Sequence, residues 1–147
     1  MEVIQKQYYV DSCIWLNLFK KEGDAARGEP YWKLAKEFIE RIMFSEEVIV
    51  YSGFVLKEIK HNLKDNQLFE EKQTFMGEEP KFSLIRVTEE DYNFGRALES
   101  EFNFEISFFD CMHIAISKRL GCILVTRDRL LMEKAKNYVT VDKPENL

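Results

Sequence analysis

The chain has 147 residues, about one domain's worth, and 46% of them are hydrophobic, enough for a core without disulfide staples. Charged residues make up 32%, and no apolar run approaches the ~18–20 residues of a membrane span, which excludes an integral membrane protein, a disordered tail and a disulfide miniprotein. The net charge of −5 argues against a passive nucleic-acid binder, which is usually basic, but suits a nuclease whose acids gather around metal ions.

The N-terminus, MEVIQKQYYV, has no basic region followed by an apolar one, so no signal peptide is expected and the protein reads as cytoplasmic, without membrane association. Cys13, Cys111 and Cys122 are odd in number and fit no CxxC spacing; they read as small buried hydrophobes.

In chain order, residues 8–10 (YYV) predict a first strand that ends at Asp11-Ser12. Residues 23–30 (GDAARGEP) carry loop signals. Trp32, Ala35, Phe38, Ile39, Ile42 and Met43 follow the i, i+3, i+4 spacing of a helix with one apolar face. Residues 48–51 (VIVY) predict a second strand, and Val55, Leu56, Ile59 and Leu63 a second helical stripe. A second loop signal, GEEP at residues 77–80, precedes a weaker third strand at 83–87 (SLIRV). Thr88, followed by three acids, is a helix N-cap with an acidic first turn, and Phe94, Ala97, Leu98 and Phe102 stripe that helix. Met112, Ala115, Ile116 and Leu120 line another, with Gly121 placed to end it. Residues 122–126 (CILVT) and 138–141 (YVTV) complete five strands. The second and fourth strand runs are almost continuously apolar, as in a parallel sheet covered on both faces, so the alternation predicts an open, mostly parallel α/β sheet.

In such sheets sites form beyond the carboxyl ends of the strands. Four acids fall there. Asp11 follows strand one, Glu58 lies about two turns into the helix after strand two, Asp110 opens the helix leading into strand four, and Asp128 lies two residues past strand four. Singly, each reads as a helix cap or a solvated charge. Together, and with Asp110 set between Phe109 and Cys111, they would repel unless a cation sat between them. The repulsion predicts that, without metal, at least one carboxyl keeps its proton to higher pH than a free acid, and that Asp11→Asn does not destabilise the metal-free protein.

The blocks YYVDSCIWLNLF, SGFVLKEI, ISFFDCMHIAISKRLGCILVTRD and VTVDKPENL resemble, in order, those of PIN-domain proteins, and most of all the small toxins of VapBC toxin–antitoxin pairs. The resemblance extends over nearly the whole chain, least clearly over residues 65–82, and implies one PIN domain at 1–147. The implied fold is three-layered, α/β/α, with a parallel sheet of about five strands. The implied activity is a ribonuclease dependent on Mg²⁺ or Mn²⁺, with the family's acidic cluster falling on Asp11, Glu58, Asp110 and Asp128. Ser12 and Thr126 also match the family pattern and stand as candidate substrate contacts. The resemblance further implies an RNA substrate, a homodimer and an antitoxin partner.

The residues themselves agree with this chemistry. Hard divalent cations take carboxylate oxygens, and no His/Cys cluster offers a zinc site. Lys57, Lys60 and Lys64 share one helix flank near Glu58 and, with Arg127 and Arg129, are the nearby bases; Lys57, Lys60 and Arg127 are candidate phosphate contacts. His113, one turn after Asp110, is expected to pack or hydrogen-bond locally, and His61 to lie at the surface. The rival readings are an RNA-processing nuclease without a toxin role and a catalytically silent PIN-like binding module; the second would be favoured by a lost acid, and all four are present.

Overall fold

The computed structural model describes residues 5–22 and 30–147, so all but the last residue of the loop expected at 23–30 lies outside the described part. Five strands, β1 (Gln7–Val10), β2 (Val48–Tyr51), β3 (Phe82–Leu84), β4 (Ile123–Val125) and β5 (Val141–Asp142), form one all-parallel sheet in the order β3-β2-β1-β4-β5. Helices α1 (Ser12–Phe19) and α2 (Tyr31–Met43) connect β1 to β2, and α3 (Gly53–Leu63) and α4 (Asn66–Glu78) connect β2 to β3. Helices α5 (Glu89–Glu101) and α6 (Phe108–Leu120) lead into β4, and α7 (Arg129–Ala135) into β5.

Neighbouring residues of a strand point to opposite faces, so the sequence of β1 sorts the helices. Tyr8 meets Phe38 of α2 edge-on, with ring centroids 5.3 Å apart. Tyr9, on the other face, reaches His113 of α6. Tyr8, Tyr9 and Val10 are all buried, as a strand covered on both faces requires. Trp15 of α1 packs edge-on against Phe82 and Tyr51, and its indole N–H donates to the Val10 carbonyl at 3.2 Å.

Local signals end the helices where the sequence places them. Thr88 caps α5 in a full capping box with Asp91, and Gly121 closes α6 in the left-handed region at φ 67°. The edge strands depart from expectation. β3 runs over Phe82–Leu84 rather than 83–87, and β5 is the two-residue Val141–Asp142 rather than 138–141. Tyr138 instead turns its ring against Phe94 and Phe102. Among the described residues no helix is long and apolar enough to cross a membrane.

The chain runs outward from β1 to β3 and returns to lay β4 on the other side of β1. The switch point therefore lies at the carboxyl ends of β1 and β4, where Asp11 and Thr126 leave the sheet.

Candidate metal centre

Asp11 follows β1 directly and starts α1. Its carboxylate is 4% exposed at the residue level yet well supplied with donors. It accepts from the Ser12 backbone N–H at 2.7 Å, the Thr126 hydroxyl at 2.8 Å, the Cys13 thiol at 3.3 Å and, weakly, the Ser12 hydroxyl at 3.4 Å. These bonds fix both carboxylate oxygens. Burial, then the Asp11 charge, pushes the Cys13 thiol well above its ordinary pKa, so it stays protonated as a donor and is no thiolate ligand.

Thr126, fully buried, bridges two loops: the oxygen that donates to Asp11 also accepts from the Asp128 backbone N–H at 3.1 Å. Asp128 in turn caps α7, accepting from Leu131 N–H at 3.1 Å.

Asp110 is different. Ser107, not Asp110, is the N-cap of α6, and its hydroxyl accepts from the Asp110 backbone N–H at 3.1 Å. The Asp110 carboxylate has no hydrogen-bond donor among the described residues. It faces the other acids, and burial, opposed by His113 and reinforced by Asp11, Glu58 and Asp128, raises its pKa to about 6. The pKa of this carboxyl is thus raised first by its burial, with the neighbouring acids adding to the same direction.

Glu58 of α3 completes the group. Its Oε1 lies 2.5 Å from His113 Nε2, and the same nitrogen is 3.6 Å from Asp11 Oδ1. Behind Glu58 the imidazole is fully buried, with Nδ1 2.7 Å from Tyr9 Oη, which is itself 2.7 Å from Ser52 Oγ. Burial lowers the pKa of His113, but the Glu58 hydrogen bond and the charges of Asp11, Glu58 and Asp110 more than offset this, and the net direction is up. Burial also pushes the Tyr9 phenol well above its ordinary pKa, so it keeps its proton.

One ligand atom from each of Asp11, Glu58, Asp110 and His113 lies within 4.8 Å of the others. Three of the four expected acids therefore converge. Asp128 stands outside that group, close enough to raise the Asp110 pKa but bonded to the start of α7. His113 was expected to bond locally; its partners Tyr9 and Glu58 lie 104 and 55 residues away in sequence. Its spacing of three from Asp110 puts both on one helix face and was the available signal. The pattern Ser107-x-x-Asp110 was the signal for the true cap.

The bases separate. Lys57 is exposed, its ammonium 5.9 Å from the Phe54 ring centroid, and borders a cleft of about 440 Å³ with Glu58, His61, Asn62, Ser107 and Phe109. Lys60 lies over Phe69 of α4 at 5.8 Å. Arg127, expected as a phosphate contact, makes a two-pronged ion pair with Glu145 at 2.8 and 2.6 Å and stacks 4.3 Å over Tyr31.

Residues 8–137 match the family model of the PIN domain, and the chain belongs to that family. No curated protein gives a sequence match. Among solved structures it is similar to VapBC2 from Rickettsia felis bound to a promoter DNA fragment, at 15% identity and TM-score 0.67, over 93% of this chain and 98% of that one. A toxin–antitoxin complex from Klebsiella pneumoniae aligns at 16% identity and TM-score 0.68, over 93% and 97%. Mycobacterium tuberculosis VapC20, described as a Sarcin–Ricin loop cleaving toxin, aligns at 18% and 0.68, over 90% and 96%. At these identities the likeness is one of fold.

Proposed function

We propose that this protein is a divalent-metal-dependent endoribonuclease and the toxin of a toxin–antitoxin pair. The observation that carries the reading is the convergence of Asp11, Glu58 and Asp110, from three separate elements, on one small volume at the switch point of the sheet. Membership of the PIN family and the likeness to toxin–antitoxin structures support it.

The donor set fits Mg²⁺ or Mn²⁺: three carboxylates, no thiolate, and one imidazole already bonded to Glu58. A bound ion would lower the pKa of a water and neutralise charge on the scissile phosphate. Asp11 would hold the ion through an oxygen fixed by its four donors, and Asp110 would hold it as the deprotonated carboxylate. Glu58 completes the ligand set or orients the attacking water. Asp128 adds negative charge near Asp110. Ser12 and Thr126 serve Asp11 rather than substrate, because both are buried and both face its carboxylate. Lys57, exposed beside Glu58, grips an RNA phosphate; Lys60 is turned toward Phe69 and Arg127 is held by Glu145. An antitoxin, a second copy of the chain and a cytoplasmic setting complete the proposal.

The test is RNA cleavage by the purified protein with Mn²⁺, with Mg²⁺ and with EDTA, beside Asp110→Asn. Cleavage that needs the metal and is lost in the variant supports the nuclease reading; full cleavage in EDTA overturns it. Growth arrest on expression, relieved by the product of a small adjacent gene, tests the toxin role.

A further inference from the structure

The buried row Ser52–Tyr9–His113 has no part in the proposed chemistry, yet it ends on Glu58. Ser52 occupies the N-cap position of α3, where a serine hydroxyl ordinarily accepts a backbone N–H, but it makes no such bond. Its hydroxyl is fully buried and goes to Tyr9 instead. Tyr9 and His113 are likewise buried. Three polar side chains from β1, the α3 cap and α6 are thus joined in the interior, against the cost of burying them.

With a neutral imidazole, the protons of this row fit one direction only. If Ser52 donates to Tyr9, and Tyr9 to His113 Nδ1, then Nε2 carries its hydrogen toward Glu58. Every proton has an acceptor, and the row ends on a carboxylate. In the reverse direction the Ser52 proton has no acceptor among the described residues, a costly orphan in a fully buried place.

The spacing also sets His113 Nε2 and Glu58 Oε1 too close together to be neighbouring ligands of one ion in their present positions. Neighbouring ligands of an octahedral ion with bonds of about 2.1 Å stand roughly 3 Å apart. His113 Nε2 and Glu58 Oε1 are 2.5 Å apart, the distance of a shared hydrogen.

We propose that His113 is a positioning residue: oriented by Tyr9 and Ser52, it holds Glu58 against Asp11 and Asp110 and so sets the affinity of the site for its ion. This rests on the metal-site reading above. Residues behind metal ligands typically change affinity 10- to 100-fold when replaced.

The experiment is calorimetric titration of Mn²⁺ into the full chain, with folding of each variant checked by circular dichroism. His113→Leu should weaken Mn²⁺ binding about 10- to 100-fold, as should Glu58→Gln, and the double variant should be no weaker than the worse single one. His113→Gln, which can still donate an N–H to Glu58, should recover part of the loss. Tyr9→Phe, which removes one oxygen and keeps the ring, should lose several-fold, and it decides the matter should His113→Leu not fold. Losses that multiply in the double variant overturn the proposal, because His113 would then act independently of Glu58. So does nitrogen coupling in the electron spin-echo spectrum of bound Mn²⁺, which would make His113 a ligand. Wild-type affinity in Tyr9→Phe and His113→Leu, with Asp11→Asn unable to bind, removes this proposal and leaves the metal site standing. A wild type that binds no Mn²⁺ removes both.

Discussion

Helices α5 and α6 begin with the same sequence pattern, Thr88-x-x-Asp91 and Ser107-x-x-Asp110, and use it differently. In α5, Asp91 reaches back to the Thr88 N–H at 2.9 Å and closes the capping box. Arg119 of α6 donates two hydrogen bonds to the same carboxylate, at 2.8 and 2.9 Å. Burial alone would raise the Asp91 pKa, but Arg119 and the Thr88 N–H bring it below its ordinary value. In α6, Ser107 still caps, but the Asp110 carboxylate turns to Asp11, Glu58 and Asp128, and its pKa rises to about 6. One aspartate satisfies the fold. The other leaves its local partner for a cluster of like charges, which folding alone would not favour. A local rule met in one helix and broken in the next coincides with the candidate site.

The contrast gives opposite signs on substitution. Asp91→Asn removes the charge that Arg119 pairs with and weakens the capping box, and it should cost about 2–4 kcal/mol in urea unfolding. Asp110→Asn removes a destabilised charge and should leave the metal-free protein about 1–2 kcal/mol more stable at pH 7. Equal losses in both variants would make Asp110 a structural residue like Asp91.

The pH dependence separates the two acids further. The folded metal-free protein holds a proton on Asp110 between its ordinary pKa of 3.8 and about 6, where the unfolded chain has released it. This group therefore makes stability rise as pH falls through that window, and the slope should vanish in Asp110→Asn. Asp91, with its lowered pKa, contributes stability above pH 3.8 that is lost as pH falls through its folded pKa. Because Mn²⁺ must displace the Asp110 proton, its affinity should drop about tenfold per pH unit below about 6. Titrations at pH 5, 6 and 7 check this.

Asp11 stands between the two cases, a member of the cluster that is also fully supplied with donors. The sequence-based expectation that Asp11→Asn does not destabilise the metal-free protein considered repulsion alone, and those donors now weigh against it. Thr126→Val, close in shape but without the hydroxyl, should cost about 1–2 kcal/mol and weaken Mn²⁺ binding, because Asp11 loses a donor and Asp128 N–H its acceptor. Unchanged Mn²⁺ affinity would show that Thr126 does not position Asp11.

The smallest effects concern RNA. Lys57→Ala should reduce the slope of log affinity against log salt by about 1, whereas Lys60→Ala and Arg127→Ala should leave it unchanged. A slope altered by Arg127→Ala and not by Lys57→Ala would reverse the assignment.

The contrast between the helices also marks what the sequence can and cannot carry. β2 appears over the predicted residues, and β1 and β4 within a residue of them, because buried parallel strands are continuous apolar runs. β5 is an edge strand of two residues; the apolar alternation of YVTV indicated a strand too early because Tyr138 packs against Phe94 and Phe102 instead. The acids were legible through their places at strand ends and their match to family blocks. The row from Ser52 through Tyr9 to His113 was not, since its members come from three distant segments and each, alone, reads as an ordinary core or cap residue.

Thermal melting of wild type and Asp110→Asn, each in EDTA and in Mn²⁺ at about a hundredfold above Kd, tests most directly whether Asp110 has left its cap for an ion. Binding at that excess adds about 2.7 kcal/mol, so the wild type should melt about 5–10 °C higher with Mn²⁺. Asp110→Asn should melt above wild type in EDTA and respond to Mn²⁺ by less than half as much. A wild type unmoved by Mn²⁺, with Asp110→Asn melting below it, would contradict the account.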